Sequence, residues 1–212
     1  NYLGIDHINK IEGYDVSHIS GESAVASCVV FSKQGPLKSN YRLFNIPKEL
    51  SGNDIGSLKN VIERRLKYYD NPKIKPDLLL IDGGKTQFKF VNLVISKSRH
   101  KDIKVISIVK GFKRIRASET IISDGGIIEV NKNSKAFLFL QEIRDESHRF
   151  AIRAQRNKKR KIIAKSKLYE IKGVGQVLRK RLLKRFKSIK NIKLATISEL
   201  MTVEGINEKI AT

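Results

Sequence analysis

Two aspartates in this 212-residue chain each close an apolar, strand-like run, Asp15 in IEGYDVSH and Asp82 in LLLIDGG. In an open α/β sheet, the strand ends that border a crevice are where ligands bind. If these two strands are neighbours, their carboxylates share one place, and carboxylates held together repel and raise a pKa unless a cation lies between them. A hard divalent ion, Mg²⁺ or Mn²⁺, accepts one or two carboxylates and keeps waters for a phosphate substrate, as metal-assisted phosphodiester hydrolysis requires. A third candidate is His148 in DESHRFAI, which lies among Arg149, Arg153 and Arg156 on a helical segment. Its imidazole suits acid or base chemistry, or contact with a metal or a phosphate. Plainer uses exist for all three. An aspartate before Gly-Gly is a good turn former, and a lone helical histidine commonly packs or faces water, so the residue pattern leaves both roles open.

The elements that must position these groups follow from hydrophobic patterning. Lys10 to Asp15, Ala24 to Phe31 and Tyr41 to Ile46 are short, β-branched or aromatic runs separated by Gly, Ser or Pro, which predicts three antiparallel strands. Asp54 is a plausible N-cap for a helix carrying Leu58, Val61, Ile62 and Leu66 at helical spacing and ending before Asn71-Pro72. The run from Asp77 to Asp82 is nearly all apolar, as a strand covered on both faces should be, and Gly83-Gly84 turns the chain into a helix from about Thr86 to Ser96. Lys104 to Val109 predicts a second covered strand, and Ser123 to Gly126 predicts a hairpin pairing Thr120–Ile122 with Ile127–Val130. A helix is expected from Ser134 to about Ala164, with a bend near Asp145. The order β, β, β, α, β, α, β, hairpin, α describes a mixed α/β sheet flanked by helices, the ribonuclease H-like layout.

Forty-three Lys and Arg against twenty-one Asp and Glu leave a net charge of +22 on a chain that is 40% hydrophobic, so the charge decorates a folded scaffold and points to nucleic acid as the partner. Residues 1–133 carry +8 and residues 134–212 carry +14. One cysteine, Cys28, allows no internal disulfide and no thiolate zinc site, and it sits in a run that reads as buried strand. No apolar run approaches the roughly 20 residues a bilayer span needs, and the composition suits a cytoplasmic setting. The chain opens at Asn1 and stops at Thr212 within a motif, which reads as a piece of something longer.

Arg153 to Lys161 places six cations, including Arg156, Lys158, Lys159 and Arg160, in nine residues on a helix leaving the first domain. Such a run is either a solvated linker or a contact with DNA phosphates that positions without reading bases. Beyond it, LYEIKGVGQVLRKRLLKRF joins an apolar residue, a turn at Gly173 and Gly175, and a basic amphipathic helix carrying Arg179 and Lys180. A turn that tight lets backbone N–H groups at the helix start face a phosphate, although an αα turn with a glycine cap has the same pattern. A partner turn with Gly205 follows in MTVEGINEKIA, about thirty residues on. These features predict a small all-α helix-hairpin-helix domain at 164–212, its second hairpin truncated, after a ribonuclease H-like domain at 1–163.

Four collinear stretches, IEGYDVSHISGESAVAS, YRLFNI with its Gly-Asn-Asp loop, PDLLLIDGGKTQ and DESHRFAI, resemble the C-terminal half of the UvrC family of bacterial nucleotide excision repair. The resemblance covers nearly the whole chain. It implies a ribonuclease H-like nuclease that makes the 5′ incision beside a lesion, leaving a 3′-hydroxyl and a 5′-phosphate, followed by tandem helix-hairpin-helix motifs. It further implies that Asp15 and Asp82 are the metal-binding catalytic aspartates, that His148 is the third catalytic residue, and that Asp54 is another required acid. His18 and Glu22 share the motif of Asp15 and are second-tier candidates for orienting the site. Where the family usually carries a second histidine after HRFAI, this chain has Gln155. The implied partners are damaged double-stranded DNA and UvrB, with UvrA acting through the pathway, and the chain is expected to be a monomer. Rival readings are another ribonuclease H-like nuclease, cutting hybrids or junctions, and a non-catalytic DNA-binding module.

Overall fold

A computed structural model of the chain describes residues 7–19, 22–109, 119–128, 131, 133–169, 171 and 173–212, with backbone alone at 17–19, 22–23 and 158–169. In chain order the elements are β1 (Lys10–Ile19), β2 (Glu22–Ser32), β3 (Gly35–Pro36), β4 (Arg42–Asn45), α1 (Asp54–Leu66), β5 (Leu78–Asp82), α2 (Lys85–Ser96), β6 (Lys104–Val109), β7 (Thr120–Ser123), β8 (Gly126–Ile128), α3 (Lys135–Tyr169), α4 (Gln176–Phe186), α5 (Ile189–Leu194), α6 (Ile197–Met201) and α7 (Glu208–Ala211). The chain divides into two compact units, residues 1–155 and 156–212, the division falling inside α3.

The eight strands among the described residues lie in one mixed sheet of order β3-β2-β1-β5-β6-β7-β8, with β4 also pairing with β2. The β1–β5 and β5–β6 pairs are parallel and the rest antiparallel. Side chains alternate across a strand, so each face collects one parity of residues. On one face Tyr14, Leu79, Ile81 and Val105 pack with Leu58, Val61 and Ile62 of α1 and Phe88, Val91 and Ile95 of α2. On the other, Ile11, Leu78, Leu80, Ile106 and Ile108 pack with Phe137 and Ile143 of α3. Asp15 and Asp82 continue the second parity, so their strands aim both at the α3 side.

The first face also buries a charge. Glu12 on β1 is fully covered, and its carboxylate accepts from Arg65 of α1 (Nη2 2.5 Å, Nε 3.1 Å), from Tyr14 (2.6 Å) and from Tyr69 (2.5 Å). Burial, followed by the surrounding anionic groups, raises the Tyr14 and Tyr69 hydroxyls well above their ordinary value, so both stay protonated donors. Burial also raises the Cys28 thiol, a fully covered core residue.

Several boundaries differ from expectation for local reasons. Asn53, not Asp54, caps α1: its side chain accepts from the Gly56 N–H at 2.8 Å, and Asp54 is the first helical residue. The Asp145 carboxylate engages Arg144 (2.6 Å), and α3 is one continuous helix that runs past the expected end near Ala164 to Tyr169. The expected hairpin forms with Ile121 opposite Ile128 and Ile122 opposite Ile127, while Val130 lies outside the described residues.

In the second unit Val174, Leu182 and Val203 form a small core with Leu178, Phe186, Leu200, Ile206 and Ile210 around them. Its two tight turns are alike. Val174 N–H bonds Ile171 O, and Ile206 N–H bonds Val203 O; Gly173 (φ +83°) and Gly205 (φ +92°) hold the left-handed conformation that favours glycine. A Cβ on Gly205 would lie 3.3 Å from Leu178 of α4, and one on Gly173 would lie 3.4 Å from Ile210 of α7. Each turn therefore rests on the other's helix, and the second hairpin, short as it is, folds against the first.

Candidate active site

The parallel register of β1 and β5 pairs Tyr14 with Ile81, which sets Asp15 and Asp82 side by side one residue further on, at the carboxyl end of both strands. Beside Asp82, Ser107 of β6 is fully buried, and its hydroxyl donates to the carbonyls of Gly83 (2.5 Å) and Ile81 (3.1 Å), fixing the backbone on both sides of the aspartate. The Gly84 N–H is met by the Gln87 side chain at 2.9 Å, which closes the turn into α2.

The third group arrives on α3. Gly13 of β1 has no Cβ, and one placed there would meet Ile143 Cγ2 at 2.5 Å, so the helix approaches the strand as closely as it does only because that position is glycine. One turn on, the buried Ser27 hydroxyl donates to the Ser147 carbonyl at 2.9 Å. The next residue, His148, places Nδ1 3.0 Å from Asp15 Oδ2. One ligand-type atom each from Asp15, Asp82 and His148 lies within 4.8 Å of the others. Two carboxylate oxygens and an imidazole nitrogen, gathered where two parallel strands end, form a donor set that could hold a divalent metal ion. Asp15 is buried, Asp82 partly so, and the His148 side chain is 51% exposed, so the site opens on the histidine side.

A carboxylate only accepts hydrogen bonds, so against Asp15 the His148 Nδ1 is the donor whichever form the ring takes. Tyr41 lies edge-on to Phe150, ring centroids 5.2 Å apart, and burial, then the Glu146 carboxylate, pushes its hydroxyl up to about 12. It is a neutral phenol and no base.

The remaining residues singled out by sequence are spread more widely. Asp54 is exposed at the start of α1, on the layer opposite α3 and outside the three-residue group. The side chains of His18, Glu22, Lys158, Lys159 and Arg160 lie outside the described residues. Arg149, Arg153 and Arg156 are exposed on α3, with Arg149 3.1 Å from Glu146. In the second unit Lys180 is exposed and Arg179 partly covered on α4. Gly175 is the N-cap of α4 with no side-chain cap, whereas Asn207 caps α7 by accepting from Ile210 N–H at 3.1 Å. Ser27, Ser107 and Gly13 were not foreseen from sequence. Their only signal is small size inside apolar strands.

The family model of the UvrC RNase H endonuclease domain matches residues 1–152, and that of the SAM-like helix-hairpin-helix tandem matches residues 165–212. UvrABC system protein C of Legionella pneumophila (strain Lens) is 39% identical over 212 residues, 99% of this chain and 34% of the relative. The protein of the same name from Pseudomonas putida (strain W619) is 38% identical over 216 residues, 99% of this chain and 35% of the relative. The chain thus spans about a third of the length of the curated relatives it matches. A crystal structure of human ENDOV aligns with a TM-score of 0.35 and 18% identity over 49% of this chain and 46% of that one, too slight a likeness to carry weight. With a ribonuclease H-like mixed sheet in its first unit, tandem hairpins in its second, and a family match over residues 1–152, the chain belongs to the UvrC RNase H endonuclease domain family.

Proposed function

We propose that this chain is a metal-dependent DNA endonuclease that makes the 5′ incision beside a lesion in bacterial nucleotide excision repair and grips DNA with the helix-hairpin-helix domain at 164–212. The observation that carries this reading is the convergence of Asp15, Asp82 and His148 at the ends of β1 and β5. Family membership and relatives named UvrABC system protein C support the repair setting. The ion, Mg²⁺ or Mn²⁺, would be held by Asp15 and Asp82. When bound, such an ion acidifies a water and offsets charge building on a phosphodiester.

The rest is work for the chain's own side chains. Asp15 orients the imidazole through Nδ1, and His148 Nε2 can then take or deliver a proton at the scissile phosphate. Ser107 and the Gly83-Gly84 turn keep Asp82 beside Asp15. Arg149, Arg153, Arg156, Lys158, Lys159 and Arg160 meet backbone phosphates and set register without reading bases. Gly173 and Gly175 present the start of α4 to a phosphate, with Arg179 and Lys180 behind it, and Gly205 forms the corresponding second turn. Asp54, His18 and Glu22 are secondary candidates, and the products are a 3′-hydroxyl and a 5′-phosphate. The partners are damaged duplex DNA and UvrB, with UvrA upstream, and the protein works as a cytoplasmic monomer. No described helix is long and apolar enough to cross a membrane.

The test is incision of a lesion-bearing duplex loaded with UvrB, by a protein of full family length. Asp15→Ala and Asp82→Ala should each abolish Mn²⁺-dependent incision while DNA binding persists. Incision that survives Asp82→Ala, or that needs no divalent ion, would overturn the reading, and preferential cutting of hybrids or junctions would replace it with another nuclease.

A further inference from the structure

Resting on the site just proposed, we infer that Ser27 of β2 is a positioning residue for His148, setting where the imidazole stands relative to Asp15. Ser27 is the register partner of Asp15 on the neighbouring strand and is fully buried. Its hydroxyl donates at 2.9 Å to the carbonyl of Ser147, the residue directly before His148, and lies 3.5 Å from the Asp15 carbonyl. A helical carbonyl already takes part in its own helix ladder, so this donor uses the second lone pair and ties the helix backbone to the sheet. The Ser147 hydroxyl is turned back to Arg144 O (2.7 Å), which leaves Ser27 to make the crossing.

The placement is not incidental to packing. Along α3, Ile143, Ser147 and Ala151 recur every four residues and are all fully buried. Ile143 faces Gly13, and Ser147 meets Ser27. One helical turn from Ile143 to Ser147 advances about 6 Å, and two strand residues from Gly13 to Asp15, or from Val29 to Ser27, advance about 6.6 Å. Helix and strands therefore keep step over this stretch, with Gly13 setting their separation and Ser27 their registry. His148 follows Ser147 directly, so its Nδ1 reaches Asp15 Oδ2 at hydrogen-bond distance. The other polar ties from this part of α3 run through side chains, Gln141 and Arg144 to Glu119 and His148 to Asp15, whereas Ser27 holds the helix by its backbone directly before His148.

Ser27→Ala removes the donor with almost no change of volume, and Ser27→Cys keeps a weaker donor on a somewhat larger atom. In the metal-free chain, long-range ¹⁵N–¹H NMR of the His148 ring should show one form with Nδ1 protonated, and Ser27→Ala should turn it into a mixture of tautomers while the unfolding midpoint stays within a few degrees. Mn²⁺-dependent nicking of DNA should fall by about tenfold in kcat with KM unchanged, within the 10- to 100-fold range typical of outer-shell partners, and Ser27→Cys should fall between. Added to His148→Ala, Ser27→Ala should cost nothing further, because it acts through that ring. An unchanged ring spectrum, or losses that multiply with His148→Ala, would overturn the assignment. If the spectrum changes as expected but neither protein, at full family length and on a UvrB-loaded lesion duplex, cuts with Mn²⁺, the nuclease reading fails and the positioning role of Ser27 stands.

Discussion

Asp15, Asp82 and His148 sit at different depths, and depth assigns their work. On the proposed reading, Asp15, buried and bonded to the imidazole, would serve both ion and histidine, whereas His148, half in solvent, would be the group that exchanges a proton with water or substrate. His148→Ala should therefore lower the cutting rate by about 10²- to 10⁴-fold, the usual share of general acid–base catalysis, without abolishing Mn²⁺ binding as measured by titration. Asp82→Ala should abolish both. That these three converge was legible in the sequence because Asp15 and Asp82 each close an apolar run and the family resemblance singled out His148. Ser27 and Ser107 were not. Ser27 is 120 residues from Ser147, and nothing local to either announces the bond that joins them.

At the scale of the elements, the approach of α3 depends on Gly13. Gly13→Ala drives a methyl into Ile143 Cγ2, and overpacking of this kind costs about 1–3 kcal/mol. Chemical denaturation should show that loss, and truncating Ile143 to Ala in the same protein should recover part of it. On the opposite face, Arg65→Met leaves Glu12 charged and buried without its cation, which should cost about 3–5 kcal/mol by the same measurement. The covered strands β5 and β6 were legible almost to the residue, since DLLLID and KVISIV are continuous apolar runs bounded by polar or glycine residues. The start of α1 was misplaced by one residue because Asn53 and Asp54 are both good caps and only the bond to Gly56 N–H separates them. Two-residue β3 has too little pattern to read, and it exists through pairing with β2.

Across the whole molecule, the charge divides as the chemistry would: +8 over residues 1–133, which hold both aspartates, and +14 over 134–212. DNA affinity should fall steeply with salt, and Lys180→Glu on α4 should weaken binding to all sequences alike and reduce the salt slope by about 1. The two hairpins should not contribute equally. The α4 start is capped by glycine alone, whereas the α7 start is occupied by Asn207, and Glu204 beside Gly205 pairs with Arg181 at 3.0 Å. Glu208→Gln should therefore change affinity less than Lys180→Glu does, a comparison fluorescence anisotropy can make at fixed salt. Everything distinctive about the first unit still turns on whether its acidic pair holds an ion. Anomalous diffraction from crystals soaked in Mn²⁺ decides this most directly. The account predicts a peak between Asp15 and Asp82, about 2.1 Å from a carboxylate oxygen of each, that disappears in Asp82→Ala. A saturating soak that leaves that position empty, in protein that still cuts DNA, would contradict it.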